Sequence, residues 1–218
     1  KKNIEVAGFS GNPIEYLAGA LVATILLFII LGIGCLCGSI SFCGFSTNVN
    51  IKSILLWILA FGIQGATEEI MCRGFLLNSL KNRISIPLAI LISSTAFVFP
   101  RLSSLIEAVV VYAVVGIVNL YLVSITFSIL VLWRSNIWIA CGLHSAWNFI
   151  LYVIMGLSLS GSESVSKGVV LFSVKDTSIL NGADYGIEAS VITTVVLGML
   201  LFVMVKGWKG RIGKDGIS

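Results

Sequence analysis

Charge is scarce in this sequence. Of its 218 residues only 11% are Asp, Glu, Lys or Arg, 57% are hydrophobic, and the mean hydropathy is +1.05. A soluble domain carries about a quarter charged residues, so the composition excludes an ordinary water-soluble globule and marks an integral membrane protein. Alternating polar and apolar segments are also few, which argues against a barrel. Apolar runs recur instead at about the 20-residue length that a helix needs to cross a hydrocarbon core. The expected fold class is therefore all-α, a polytopic membrane helix bundle of about six to seven transmembrane helices.

Other absences narrow the chemistry. There are five cysteines, Cys35, Cys37, Cys43, Cys72 and Cys141. They lie in or beside apolar runs, where cysteine acts as a small hydrophobe, and the one close pair, Cys35 and Cys37, lacks the partners of a zinc site. The net charge of +4 comes from basic residues spread over short loops and the C-terminal tail. Membrane topology accounts for that spread, and nucleic acid is not an expected partner. The chain begins at Lys1 with neither Met nor a clean signal-peptide pattern, which leaves open a processed or trimmed N-terminus with a first helix missing. No internal repeat, low-complexity tract or second domain is visible, so residues 1–218 read as a single membrane domain.

The first span is expected over Tyr16 to Cys43, loosened toward its end by Gly32, Gly34 and Gly38. The second runs from near Ile54 to Leu80, and the third from Ile86 to Pro100 with Pro87 at the helix start. Leu105 to Trp133 is either one long tilted helix or two pieces meeting near Gly116 and Asn119. After a turn at Arg134-Ser135-Asn136, a helix over Ile137 to Leu157 carries the single histidine. Ser158 to Gly186 shifts to Ser, Gly, Lys and Asp and reads as an exposed loop, with a short amphipathic or extended piece at Gly168 to Val174. The last span covers Ile187 to Val205. With six crossings, Lys1, Lys2, Lys81, Arg83, Arg134, Lys206, Lys209, Arg211 and Lys214 share one side, and Lys52, Lys167 and Lys175 the other. Cytoplasmic loops collect Lys and Arg, so this split predicts both termini in the cytoplasm.

Against this background several polar groups sit in or at the edge of apolar segments: Glu68, Glu69, Arg73, Arg101, Glu107, His144 and Asn148. An ionisable group in hydrocarbon costs about 2.5–3.5 kcal/mol even on lenient scales, so such groups face one another or a polar cavity. Residues four apart share a helix face, so Glu69 and Arg73 can pair within their own helix, with Gln64 and Cys72 flanking Glu68. Glu68 is rotated by about 100° from that pair and needs a partner from another helix. His144 and Asn148 are also four apart. A carboxylate facing them could deprotonate a water and hold a developing oxyanion. The plainer alternative is structural: a buried ion pair that fixes packing and a histidine that ties two helices together. Glu107 and Glu188, near helix starts, are expected to face the positive ends of helix dipoles, and Trp133, Trp138 and Trp208 to anchor the membrane interface.

The sequence Glu68-Glu69-Ile70-Met71-Cys72-Arg73, continuing as Gly74-Phe75-Leu76-Leu77, together with His144-Ser145-Ala146-Trp147-Asn148, resembles the Glu-Glu-x-x-x-Arg and His-x-x-x-Asn motifs of the CAAX protease and bacteriocin-processing family (CPBP, also called Abi). The resemblance covers about residues 54–150, and Asp184 to Ser190 also looks like bacterial members. It implies an intramembrane endopeptidase in a bacterial cytoplasmic membrane, with membrane lipids and a hydrophobic or membrane-proximal peptide as partners. Its implied roles include peptide or bacteriocin maturation, self-immunity and regulatory proteolysis. By carry-over Glu68 activates water, Glu69 and Arg73 support it, and His144 with Asn148 orients substrate or oxyanion.

The family's middle motif, Phe-x-x-x-His, aligns with Phe97-Val98-Phe99-Pro100-Arg101, so Arg101 stands at the histidine position. Arginine can donate hydrogen bonds and charge, but it neither accepts a proton nor ligates a metal. Some members are described as metal-dependent; with the histidine set incomplete, no cofactor is expected here. Three readings follow: a peptidase in which Arg101 substitutes electrostatically, a pseudoprotease that binds peptide without cutting it, and a small transporter subunit whose buried charges form an ion path.

Overall fold

The computed structural model describes residues 8–9, 11–162, 168–175 and 177–212, the last four without their side chains. Lys1, Lys2, Lys167 and Lys214, and the side chains of Lys209 and Arg211, all used in the charge count above, lie outside that description. The elements in chain order are helix α1 (Glu15–Leu36), strand β1 (Ile40–Phe45), helix α2 (Ile51–Glu69), helix α3 (Ile86–Val98), helix α4 (Val110–Arg134), helix α5 (Trp138–Phe149), strand β2 (Val170–Val174) and helix α6 (Val191–Ile212). Helix α2 continues as a π-helical segment, Ile70–Leu77, and ends at Leu80. Helix α3 continues through a 3₁₀ turn, Phe99–Arg101, into Leu102–Ile106, and α5 continues as a second π segment, Ile150–Ile154.

Five of these helices are long and apolar enough to cross a membrane: Glu15–Leu36, Ile51–Leu80, Ile86–Ile106, Val110–Arg134 and Val191–Trp208. Trp138–Ile154 is a shorter apolar helix. The bundle is inside-out relative to a soluble protein. Leu17, Leu21 and Phe28 on α1, Leu55 and Leu59 on α2, and Phe202 on α6 are exposed on the outside, whereas Glu69, Arg73, Ser93, Ser94, Ser124 and Ser128 are fully buried. Lipid solvates the apolar exterior, so small residues and polar contacts hold the interior.

Three boundaries differ from the sequence expectation. The first helix stops at Leu36, seven residues before Cys43, because Gly38 takes a left-handed conformation (φ +70°). Ser39 N–H then donates to the Gly34 carbonyl and Gly38 N–H to the Cys35 carbonyl, the paired closure that a glycine after a helix end allows. The chain beyond becomes β1, antiparallel to β2, with Cys43 bulged between the pairs Phe42–Phe172 and Gly44–Leu171. The expected extended piece at Gly168 to Val174 thus has its partner in a segment that hydropathy assigns to the first span. Leu105 to Trp133 breaks near its start, at the non-helical residues Glu107 to Val109, and α4 then runs unbroken past Gly116 and Asn119. The final helix begins at Val191 after a 3₁₀ turn, Ile187–Ala189.

Glycine sets how closely the helices that carry the site approach one another. A Cβ at Gly142 would lie 1.9 Å from the Tyr16 carbonyl oxygen, one at Gly19 2.0 Å from that of Ile139, and one at Gly65 2.5 Å from Ser145 Oγ. Helix α5 is therefore held backbone to backbone against α1 and close against α2. We expect Gly142→Ala to destabilise the protein by about 1–3 kcal/mol and to lower its unfolding temperature in detergent. Gly32→Ala, which meets only open space, should leave that temperature unchanged in the same thermal scan.

Candidate functional site

Glu68 and Glu69 end the regular part of α2, and the π segment that follows carries Arg73. Wider helical turns of this kind are rare and gather at functional sites. Here Ser93 Oγ on α3 donates to the Cys72 carbonyl at 2.8 Å, tying the widened segment to α3. Successive helix residues diverge by about 100°, so the two carboxylates face different surroundings.

Glu69 is completely buried. Its Oε1 accepts from Arg73 Nη1 at 3.0 Å and lies 3.0 Å from His144 Nδ1. Arg73, equally buried, uses Nη2 to donate to the Ser124 carbonyl at 2.9 Å and to the Ser124 hydroxyl on α4. With Glu69 ionised, Nδ1 carries the hydrogen, and Nε2 of a neutral ring is the acceptor on the other side. Three elements, α2, its π extension and α5, therefore meet at one carboxylate oxygen, and α4 is tied to it through Arg73. Glu69 Oε2 and Arg73 Nε are buried and have no partner among the described residues.

Glu68 points elsewhere. Its side chain is 28% exposed; Oε2 accepts from Arg101 Nη2 at 2.6 Å and Oε1 from Gln64 Nε2 at 3.0 Å. Gln64 Oε1 in turn accepts from Asn148 Nδ2 at 3.2 Å. Arg101 is also anchored to its own helix, donating from Nη1 to the Phe97 carbonyl at 2.8 Å. Phe97 contacts both charged groups: the Arg101 guanidinium carbon is 4.2 Å from the ring centroid and that of Arg73 4.6 Å. His144 packs edge-on to the same ring, with centroids 5.6 Å apart. Cations over an aromatic face are stabilised by its quadrupole, so the Phe of the middle motif serves both arginines.

The motif residues thus come together, in an arrangement that differs from a Glu68 facing His144. Glu69, Arg73 and His144 form a buried triad. Glu68, Arg101, Gln64 and Asn148 form a chain beside it, open to a cleft of about 400 Å³ lined also by Trp57, Phe61, Tyr152 and Ser160. Next to the cleft, and sharing Arg101, Asn148 and Ser160 with it, a smaller space of about 40 Å³ is bordered also by His144, Asn119, Tyr185 and Glu188. A water needs roughly 10–15 Å³ by this measure, so the space holds a few at most. Glu107 lies in the turn before α4, apart from both groups.

Two contributors were not picked out by motif spacing. Ser124 holds Arg73, and its signal was a polar side chain within a long apolar run. Glu188 does not simply face the start of α6. Its carboxylate accepts from Trp147 Nε1 at 3.0 Å and from Ser160 N–H at 2.6 Å, tying the turn of α5 between His144 and Asn148 to the loop that rims the cleft.

A polytopic helix bundle of this build, with its acidic and basic groups buried at one site, belongs to the class of integral membrane proteins that includes the intramembrane proteases. Residues 50–150 match the family of type II CAAX prenyl endopeptidase Rce1-like proteins, and over this segment the chain is similar to the CAAX protease family that its motifs resemble. No curated protein matches it, and no solved structure does. The metal dependence described for some members does not fit this donor set. Among the described residues no three His, Cys, Asp or Glu side chains come together to hold an ion, and the Arg101 guanidinium occupies one oxygen of Glu68.

The Glu69–Arg73 pair yields a direct expectation. Removing one partner of a buried ion pair strands the other charge and costs about 3–5 kcal/mol. Arg73→Leu should therefore destabilise the protein by that amount in reversible unfolding measurements. Adding Glu69→Gln to it should recover a large part of the loss.

Proposed function

We propose that this protein is a CAAX-type intramembrane peptidase in which Glu68 activates the hydrolytic water and Arg101 restrains it. The carrying observation is the 2.6 Å Glu68–Arg101 bridge at the floor of the cleft. A carboxylate has about four lone-pair sites, so Glu68 can still bind a water from the cleft while it accepts from Arg101 and Gln64. The water oxygen attacks the peptide carbonyl carbon as its proton passes to Glu68. Asn148 Nδ2 and the fixed charge of Arg101 lie beside the cleft, where the developing oxyanion needs donors. The proton held by Glu68 is then delivered to the leaving amine.

Arg101 works against this sequence at the proton-transfer steps. Glu68 must exchange an ion pair for a proton, and the guanidinium has no lone pair with which to relay one. The buried Glu69–His144–Arg73 triad supports the reading as a scaffold that fixes the rotation of α2 and α5, and so the aim of Glu68 and Asn148. The substrate is an apolar, membrane-proximal peptide, in keeping with the Trp57, Phe61 and Tyr152 walls.

A second reading, peptide binding without cleavage, draws on the same bridge, since both Glu68 oxygens are already engaged by donors. One pair of variants separates the two. General acid–base assistance is worth about 10²–10⁴-fold. Arg101→His in purified, reconstituted protein should therefore raise cleavage of a membrane peptide by about 10²-fold or more, and adding Glu68→Gln should abolish the gain. Peptide that protects the wild type from unfolding, with no product from either the wild type or Arg101→His, would establish the non-cleaving form.

A further inference from the structure

The ends of the helices sort into two faces, and the cleft opens on only one of them. On the first face, Glu15 at the start of α1 pairs with Arg134 at the end of α4 at 2.9 Å, and Ile137 N–H donates to the Gly8 carbonyl. Lys81 and Arg83, in the loop after α2, lie at the same level, since α2 ends and α3 begins there. On the second face β1 pairs with β2, Val169 N–H donates to the Ile154 carbonyl at 2.7 Å, and Gly161 N–H donates to the Tyr185 carbonyl. The turn at Glu107 joins them there: a Cβ on Gly161 would lie 3.4 Å from Ser104.

The cleft is built from the second face. Ser162 and Ser160 form its rim, and Trp57, Phe61, Gln64 and Glu68 descend along one stripe of α2. At 1.5 Å per residue, Glu68 lies about 25 Å along the helix from Ile51. The carboxylate sits well inside the span, and the residues that line the cleft run from it toward Trp57 and Ser162, away from Lys81, Arg83 and Arg134. Among the described residues the second face carries few cations, Lys52 and Lys175. Cytoplasmic loops collect Lys and Arg.

We infer that the cleft takes its peptide from the non-cytoplasmic side of the membrane. The inference rests on the peptidase reading above and narrows its substrate to a membrane-proximal segment exposed outside the cytoplasm. The walls Trp57, Phe61, Tyr152 and Leu159 are apolar, the rim serines are uncharged, and among the described residues that line the cleft the only two charges, Glu68 and Arg101, are paired at the floor. The segment accepted is accordingly uncharged and apolar next to the bond presented to Glu68.

The protein carries its own reporters of sidedness. Cys35, Cys37 and Cys43 are exposed and all lie on the second face, while Cys72 and Cys141 are buried. A membrane-impermeant maleimide should label wild-type protein in intact cells. In a background with Cys35→Ser, Cys37→Ser and Cys43→Ser, Ser162→Cys should be labelled in intact cells and Lys81→Cys only after permeabilisation. A synthetic Leu- and Ala-rich peptide, added to purified Ser162→Cys protein, should slow labelling at least severalfold without slowing that of Lys81→Cys. Labelling of the second-face thiols only after permeabilisation would overturn the assigned side and leave the peptidase reading standing. Labelling from outside with no protection by peptide would instead overturn peptide occupancy of the cleft, and with it the reading on which the inference rests.

Discussion

One fully buried carboxylate organises the membrane interior of this protein. Glu69 has no access to water, so the cost of keeping it there has to be offset by Arg73 and His144, and Arg73 in turn by Ser124. Buried pairs of this kind are a poor source of net stability compared with apolar packing, but they tolerate little error in geometry. Apolar side chains against lipid would allow the helices to slide and rotate with little penalty. A charge that must meet two partners fixes α2 and α5 in rotation and depth and holds α4 to Arg73.

The neighbouring residue benefits from that restraint. Glu68 is rotated away from the triad into a partly hydrated cleft, where its partners come from α3 and from its own helix. The result is two acidic residues in sequence with separate duties, one structural and dry, one facing solvent. Phe97 is shared by their arginines, an aromatic ring against which both cations pack. An arginine at the 101 position is accommodated because the ring four residues earlier supports it from below and the Phe97 carbonyl accepts from it.

Much of this was legible in the sequence. Hydropathy located the helices because span length and apolarity are nearly sufficient to define a crossing segment. Spacing by four identified the Glu69–Arg73 pair and the shared face of His144 and Asn148, and the motifs carried the resemblance to one family that residues 50–150 match. What escaped is what depends on long-range geometry. The strand Ile40–Phe45 is as apolar as a helix, and only Gly38 and the distant partner Val170–Val174 make it extended. The widening of α2 and α5 into π turns leaves no mark in composition. Nor does spacing reveal which of two adjacent glutamates meets the histidine, since that depends on how α5 crosses α2 at Gly65 and Ser145.

The pairing of β1 with β2 also bears on how the protein is made. The two strands lie far apart in the chain, separated by the four helices, with their 3₁₀ and π extensions, that carry Glu68, Glu69, Arg73, Arg101, His144 and Asn148. Contacts so distant in sequence form late, after the intervening segments are in place. During synthesis α1 through α4 can enter the membrane in order, yet β1 has no partner and Glu188 cannot reach Trp147 until the loop after α5 has emerged. The strand pair therefore acts as a closing clasp: the cleft acquires its rim only once most of the chain has been translated, and a chain halted earlier holds its buried charges without a finished site around them.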